Sequence, residues 1–585
     1  MNDTATGEAI SKHDKLMFWG CFIALITTAF AFVSRLFLLG EWKEQFGLTG
    51  GEVGELAGIG IWPFAVSIIV FSLFIDKIGY KFAMIFSFAG YLIWSVIGVA
   101  AFFVADGAAP GSAESKTAYS MLYWGSFLLG LANGTVEAYI NPVVATMFSK
   151  NKTKWLNILH AGWPGGLVIV GLITIAMAGT PWWMRIAIIA APALVFFFML
   201  VPLKFPANER VAAGVSYREM IGEFGMLTAG IVAFLLTLQL IQFFPNVSPF
   251  VFIVIGVACV VAVGVYTQKL GNPLLFVLAL IMMPLATTEI GTDSWIEEIM
   301  KGVAKEAGFH SGLVLVYTSA IMCALRFCAG PIVHRLSPIG LLIASAALAA
   351  VGLFWLSAAT GLLIIFAAAT LYAFGKTFFW PTMLGIAGEQ TPKGGALTLN
   401  ALGGIGMLAV GTLGTVYIGV LQDTKQIEAV KASEEVQQAI PGIVKEDKLT
   451  VLTEKSSYGI IKYEAVDSAE VQKLTRPTKE EKVEDPKEGE PTTKTVALSD
   501  DELKKLPEEK QEAIAAAEGK LKEVSEKSAQ GALANMAIFP IIMLVAYVIM
   551  FFYFKSKGGY QVQHLHQEGD LTPDEDGFGE AAAQK

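Results

Sequence analysis

Stretches of about twenty apolar residues recur almost from one end of this chain to the other, and that repetition limits the folds open to it. A helix needs about 20 mostly apolar residues to cross the hydrocarbon core of a bilayer. Inside the core every backbone polar group must be paired within the segment itself. Run length gives about fourteen spans: residues 16–39, 53–75, 82–104, 119–148, 155–178, 185–202, 225–244, 250–267, 273–292, 311–332, 339–357, 361–386, 396–421 and 532–554. Six spans, a pair joined at Pro245 and Asn246, and six more make up the pattern. Composition agrees, since only 16% of the 585 residues are charged against about 25% in a soluble chain. Nearly half of that charge falls between residues 422 and 530. The N-terminus is polar and its first apolar run is already span-length, so no cleavable signal peptide is expected.

The reading is therefore an all-α membrane protein with two six-helix bundles and an inserted two-helix hairpin. Its expected parts are 1–203 (N-terminal bundle), 204–224 (loop), 225–270 (hairpin), 271–421 (five further helices), 422–531 (polar insert), 532–555 (last helix) and 556–585 (tail). Lysine and arginine bias sets orientation. With the N-terminus inside, clusters such as Lys150, Lys152 and Lys154 are cytoplasmic, and the short outer loops keep only Lys43, Lys116, Lys301 and Lys305. Both termini are then cytoplasmic and the insert lies outside, which suits a bacterial cytoplasmic membrane. Within the insert, TRPTKEEKVEDPKEGEPTTK has the composition of a disordered linker. LTVLTEK and YGIIKYEAV suggest a small hairpin, and Ser499 with Glu502 forms a capping box before a helical run. A solvated surface insert and a partner-binding one are both open.

The two six-span halves echo each other. Glu137-Ala-Tyr-Ile-Asn141-Pro142 answers Lys376-Thr-Phe-Phe-Trp380-Pro381, each with a charged residue five positions before a proline. Leu156-Asn157 answers Leu399-Asn400, Trp42-Lys-Glu44 answers Trp295-Ile-Glu297, and Asp76-Lys77 answers His334-Arg335. A duplicated six-span unit places a substrate site between the halves near mid-membrane.

Ionisable side chains inside spans cost about 2.5–3.5 kcal/mol each on insertion scales, so Arg35, Glu137, His160, Glu289, Arg326 and Lys376 need a reason to be there. One reading is a central cavity binding substrate and a proton through Glu137, Lys376, Glu289, Arg35 and His160. The other is a set of satisfied ion pairs between helices. Arg326, near one span end, reads as a snorkelling residue. Asn141, Asn157 and Asn400 join the candidate site, with Trp163 and Trp380 either offering indole faces and N–H groups to a ligand or serving as packing aromatics. Prolines free a carbonyl one turn back, as at Pro142 and Pro381. The four cysteines all lie in apolar runs, so neither disulfides nor paired metal ligands are expected. P-loop, GxSxG, HExxH and CxxC motifs are absent from the sequence. No cofactor, metal or nucleic acid is expected, and no enzyme activity. The expected partners are a small molecule, protons and the bilayer, with no obligate protein partner.

Ser72-Leu-Phe-Ile-Asp76-Lys77-Ile-Gly79-Tyr-Lys81 resembles the loop motif of the major facilitator superfamily, with Ser72 in place of its first glycine and Tyr80 in place of a basic residue. Asp76, Gly79, Lys81 and Arg335 are then candidates for a conformational latch. The GxxEAxxNPxV pattern around Glu137, with Leu156-Asn157, Glu289-Ile-Gly-Thr-Asp-Ser294-Trp295 and Trp380-Pro381-Thr382, is similar to the fucose–galactose–glucose:proton symporter (L-fucose permease-like) branch. That resemblance implies proton-coupled sugar uptake with Glu137 as the coupling acid. It also expects an aspartate in the first span, where Leu36 stands beside Arg35. Either Arg35 pairs with Glu137, or the pocket takes an anionic sugar such as a uronate, a role for which Lys376 is suited. A drug or metabolite exporter, and a non-transporting membrane sensor, are the alternatives.

Overall fold

The computed structural model describes residues 10–46, 48, 53, 56–109, 112–177, 179–458, 461–484 and 491–565. Among the described residues, twelve helical segments are long and apolar enough to cross a membrane. In chain order the helices that build the membrane body are α1 (Lys12–Phe46), α2 (Leu56–Ile78), α3 (Tyr80–Ala105), α4 (Ala113–Met147), α5 (Ser149–Thr174) and α6 (Trp182–Leu200). They continue with α7 (Tyr217–Phe243), α8 (Pro249–Thr267), α9 (Pro273–Glu306), α10 (Gly312–Phe327), α11 (Pro338–Leu356), α12 (Leu362–Gln390) and α13 (Pro392–Ala432). The insert's long helix is α14 (Glu508–Ser528), and α15 (Ile538–Ser556) closes the bundle. Two expected spans fall outside the twelve. In α4, glycines with Asn133, Glu137 and Asn141 lower the hydropathy, and 311–332 breaks at Cys328 into α10 and a short helix, Ala329–Leu336.

Helices α1–α6 form one half; α9–α13 and α15 form the other. Close approach between and within halves is bought by small residues. A Cβ on Gly134 would meet the Phe64 carbonyl of α2 at 2.1 Å, and one on Gly375 the Ala349 amide of α11 at 2.2 Å. The α7–α8 pair lies along the seam between halves. Phe243 of α7 packs on Trp62 of α2, while Met220 and Phe224 share a cluster with Leu397 and Ala401 of α13. Helix α8 leaves most of its apolar surface outward, including Phe250, Val257 and Val265, which fits a lipid-facing position.

Both described chain ends lie at one face of the bundle, here the terminal face; the insert emerges at the other. The insert has a core of its own, built from Val430, Val436, Ile440, Ile443, Val451, Val471 and Leu521. A hairpin of β3 (Leu452–Ser457) and β4 (Ile461–Val466) follows the shorter pair β1 (Val444–Lys445) and β2 (Lys448–Leu449). The stretch expected to be disordered instead forms a hairpin of β5 (Thr478–Glu484) and β6 (Pro491–Ala497). Its Thr and Val content suits paired strands, and Lys479 ties it to Glu502 at 2.6 Å. Residues 485–490 of that stretch lie outside the described ones. The Ser499 amide and hydroxyl both donate to the Glu502 carboxylate at 2.9 Å, but they start only a short turn, Asp500–Leu503; α14 begins after Pro507.

Candidate functional site

Proline shapes the centre of each half. Pro142 lies inside α4 and has no N–H to give the carbonyl one turn back. That carbonyl, on Ala138, is taken by Asn400 Nδ2 of α13 at 2.9 Å, from the opposite half. Pro381 leaves the Thr377 carbonyl free in the same way, and Arg326 Nε of α10 donates to it at 2.6 Å. The paired motifs of the sequence thus become paired acceptors, each filled by a buried side chain.

Around these acceptors the ionisable groups sort into pairs. Arg326 Nη2 donates to Glu289 at 2.8 Å and Nη1 to the His160 carbonyl at 2.7 Å, so one guanidinium joins α10, α9 and the opposite half. Arg326 is 1% exposed; it does not snorkel, because three acceptors hold it inside. Glu289 sits in a π-turn, Thr287–Gly291, and also accepts from the Trp380 amide at 3.2 Å. A second π-turn, Val410–Gly414 in α13, packs on the first: a Cβ on Gly414 would lie 2.6 Å from Thr287 Oγ1. Lys376 is fully buried, bonded to Asp293 and 5.1 Å from the Tyr372 ring centroid.

Glu137 differs. Among the described residues no cation lies within ion-pair distance of it, and its carboxylate accepts from Asn141 Nδ2 at 2.7 Å. Asn141 Oδ1 lies 2.9 Å from His160 Nε2, which donates to it when that nitrogen carries a hydrogen. Arg35 does not reach this group. Its guanidinium donates to the Leu56 and Ala57 carbonyls at 2.5 and 2.9 Å, beneath Gly60, where any Cβ would collide with it. The pairing of Arg35 with Glu137 is therefore not made, because α1 carries Arg35 toward the start of α2 near the insert face.

A narrow cavity of about 30 Å³ is lined by Phe64, Glu137, His160 and Trp163 from the first half, and by Glu289, Ile290, Arg326, Trp380 and Met407 from the second. Toward the terminal face the halves close on each other. Asn157 Nδ2 donates to Thr382 at 3.2 Å, the Thr153 hydroxyl and amide donate to Glu389 at 2.6 and 3.0 Å, and Lys152 Nζ donates to the Gly388 carbonyl at 3.1 Å. Gly385 permits this approach, since a Cβ there would lie 2.3 Å from Thr153 Oγ1. Asn157 and Asn400 are therefore in the seam, below the cavity rather than lining it.

Of the latch candidates, Asp76 is clamped by Arg210 Nη2 at 2.5 Å and Nε at 3.2 Å. Arg210 belongs to a short helix, Glu209–Ala212, in the loop between halves. Gly79, at φ +84°, makes the turn from α2 to α3 in a conformation that disfavours side chains. Lys81 donates to the Val201 carbonyl at 2.9 Å, and Arg335 is exposed in Ala329–Leu336. Sequence reasoning missed Asp293, Arg210 and Glu389. Asp293 had a signal: it lies one helical turn after Glu289, on the same face.

Residues 18–415 match the family model described as Major Facilitator Superfamily. No curated protein sequence matches the chain. Similar solved structures include an E. coli fucose:proton symporter (16% identity, TM-score 0.46, 70% of this chain and 92% of that one). Others are a human organic anion transporter (12%, 0.48, 70% and 93%) and the E. coli proton:xylose symporter (12%, 0.49, 72% and 90%).

Proposed function

The chain belongs to the Major Facilitator Superfamily, and we propose that it is a proton-coupled uptake carrier for a sugar, working by alternating access around the cavity between its halves. The observation that carries this reading is the contrast among buried charges. Arg326 with Glu289 and Lys376 with Asp293 are matched pairs, whereas Glu137 lines the cavity with no cation within ion-pair distance among the described residues. A lone carboxylate at that depth needs a proton or a substrate donor to offset its burial. Sugar hydroxyls and a proton supply both kinds of partner, and Trp163 and Trp380 add indole faces.

The same pairing favours a neutral sugar over a sugar acid. Lys376, the cation that suggested a uronate, is occupied by Asp293, and Arg326 already holds Glu289. With the terminal face toward the cytoplasm, as the lysine and arginine bias suggests, the closed seam under the cavity corresponds to a carrier shut on its inner side. Asp76 with Arg210 ties α2 to the loop between the halves and is the latch for that state.

The test is uptake into proteoliposomes of labelled hexoses, deoxyhexoses and uronates, with and without an inward proton gradient. Gradient-driven uptake of a neutral sugar in the wild type, lost in Glu137→Gln with exchange retained, supports the reading. Absence of uptake of every sugar by folded protein overturns it and favours an exporter or a sensor.

A further inference from the structure

We infer that Asn400 is a clamp between the halves whose grip is set by the protonation of Glu137, with Asn141 as the positioning residue that links the two. The inference deepens the proposed symport and rests on that reading for its proton. Its geometry does not depend on which substrate is carried.

Asn400 of α13 is 1% exposed and spends its whole amide on the opposite half. Its Nδ2 gives one hydrogen to the Ala138 carbonyl at 2.9 Å, the acceptor that Pro142 leaves open, and the other to Ser72 Oγ of α2 at 2.9 Å. Ser72 stands where the loop motif of the family carries glycine, so this second acceptor exists because of that departure. The Asn400 Oδ1 faces Asn141 Nδ2 at 3.3 Å. A carboxamide nitrogen has two hydrogens, but Asn141 Nδ2 is offered three acceptors: Asn400 Oδ1, the Glu137 carbonyl at 3.1 Å and the Glu137 carboxylate at 2.7 Å. One of the three must be underserved. His160 Nε2 at Asn141 Oδ1 keeps the amide from turning over.

Which acceptor loses depends on the charge of Glu137. A hydrogen bond to an ionised carboxylate is roughly twice as strong as a neutral one. Ionised Glu137 therefore draws Asn141 Nδ2 to itself and away from Asn400. Protonated Glu137 releases it, and the contact between halves tightens. The other titratable groups facing Glu137 are His160 from α5, Tyr91 from α3 and the Glu289–Arg326 pair from α9 and α10; Arg35 of α1 is turned away to Leu56 and Ala57. The consequence for a symporter is that a carrier holding a proton without sugar stays shut at the terminal face, which suppresses proton leak.

The experiment follows the seam directly and needs no substrate. Thr146, which lines the terminal-face cleft, is replaced by cysteine in full-length protein whose four native cysteines are serine. Labelling by an impermeant maleimide added to that face is followed between pH 5.5 and 8.5, each rate divided by that of the same cysteine in denatured protein at the same pH so that thiolate ionisation cancels. The expected result is labelling that rises with pH, is flattened in Asn141→Ala, and is raised about tenfold or more at low pH in Asn400→Ala, which loses two donated bonds and one accepted bond across the seam, a single net bond of about 1.4 kcal/mol being a factor of ten. Ser72→Ala, which removes one acceptor and keeps the rest of the clamp, shifts labelling the same way by less. Unchanged pH dependence in Asn141→Ala, or unchanged labelling in both Asn400→Ala and Ser72→Ala, overturns the clamp. If Glu137→Gln keeps the wild-type pH profile, Glu137 does not set the clamp and the inference fails, whereas the symport reading stands or falls separately on gradient-driven uptake.

Discussion

Replacing Arg326 by methionine tests how the centre of the second half is held. Methionine approximates the aliphatic stem but withdraws three donors: from the Thr377 carbonyl at 2.6 Å, the His160 carbonyl at 2.7 Å and Glu289 at 2.8 Å. Glu289 is left buried with the Trp380 amide as its remaining donor. Removing one partner of a buried ion pair costs about 3–5 kcal/mol. Glu289→Gln keeps the shape and leaves the guanidinium its two carbonyls, so about 1–3 kcal/mol is expected. With both changes no charge is stranded, and the loss reduces to the unmade carbonyl bonds, again about 1–3 kcal/mol. The singles therefore add to more than the double costs, with a coupling of about 2 kcal/mol or above. The assay is reversible unfolding in mixed micelles followed by tryptophan fluorescence, run as a double-mutant cycle. Additivity within about 0.5 kcal/mol would refute the reasoning, because it would mean that Glu289 and Arg326 do not depend on each other.

Gly385→Ala places a methyl 2.3 Å from Thr153 Oγ1 and is expected to open the terminal face, read as faster cysteine labelling in the cleft at unchanged folded yield. Arg210→Ala strands Asp76, only 6% exposed, and should both lower gradient-driven uptake several-fold and raise labelling in that cleft; unchanged uptake would remove Asp76 from the latch. The insert's attachment points lie side by side, Gln426 donating to Ser525 at 3.0 Å, and its core is separate from that of the bundle. Replacing residues 427–524 by a short Gly-Ser linker should preserve folding and uptake, and loss of uptake with retained fold would assign the insert a part in transport. Glu502 is held down to about 2 by Lys479, with the Ser499 amide and hydroxyl adding to it. The ionised form that this network stabilises persists through mild acid and is lost only as pH falls through that value. NMR titration should find a midpoint near 2 that rises in Lys479→Ala, and an ordinary midpoint of about 4 in the wild type would contradict the geometry.

The helices were legible because apolar run length is a direct physical requirement of the bilayer, and only α4 and α10 fell below the threshold in hydropathy or length. Glu137, Asn141 and Pro142 stood out through the cost of polar and helix-breaking residues in such a run. Asp293 was missed by ending the ninth span one residue early, where the structure continues α9 to Glu306. Arg326 was misjudged because distance along a span says nothing about which way a side chain faces. The partnership of Asp76 with Arg210 joins residues 134 positions apart, and no local spacing encodes it. The hairpin of β5 and β6 was hidden by composition, since charged and Thr-rich residues read as solvated chain unless their pairing is known.

Substitution scanning, the usual way of finding contact residues, has a blind spot in this molecule. The acceptors at Ala138 and Thr377 belong to the main chain, so truncating either side chain to the smallest form leaves the oxygen in place. Their availability is fixed by what Pro142 and Pro381 lack rather than by anything those prolines touch. Side chains around each site can drift while the docking point persists, and only the imino residue, four positions away, can withdraw it.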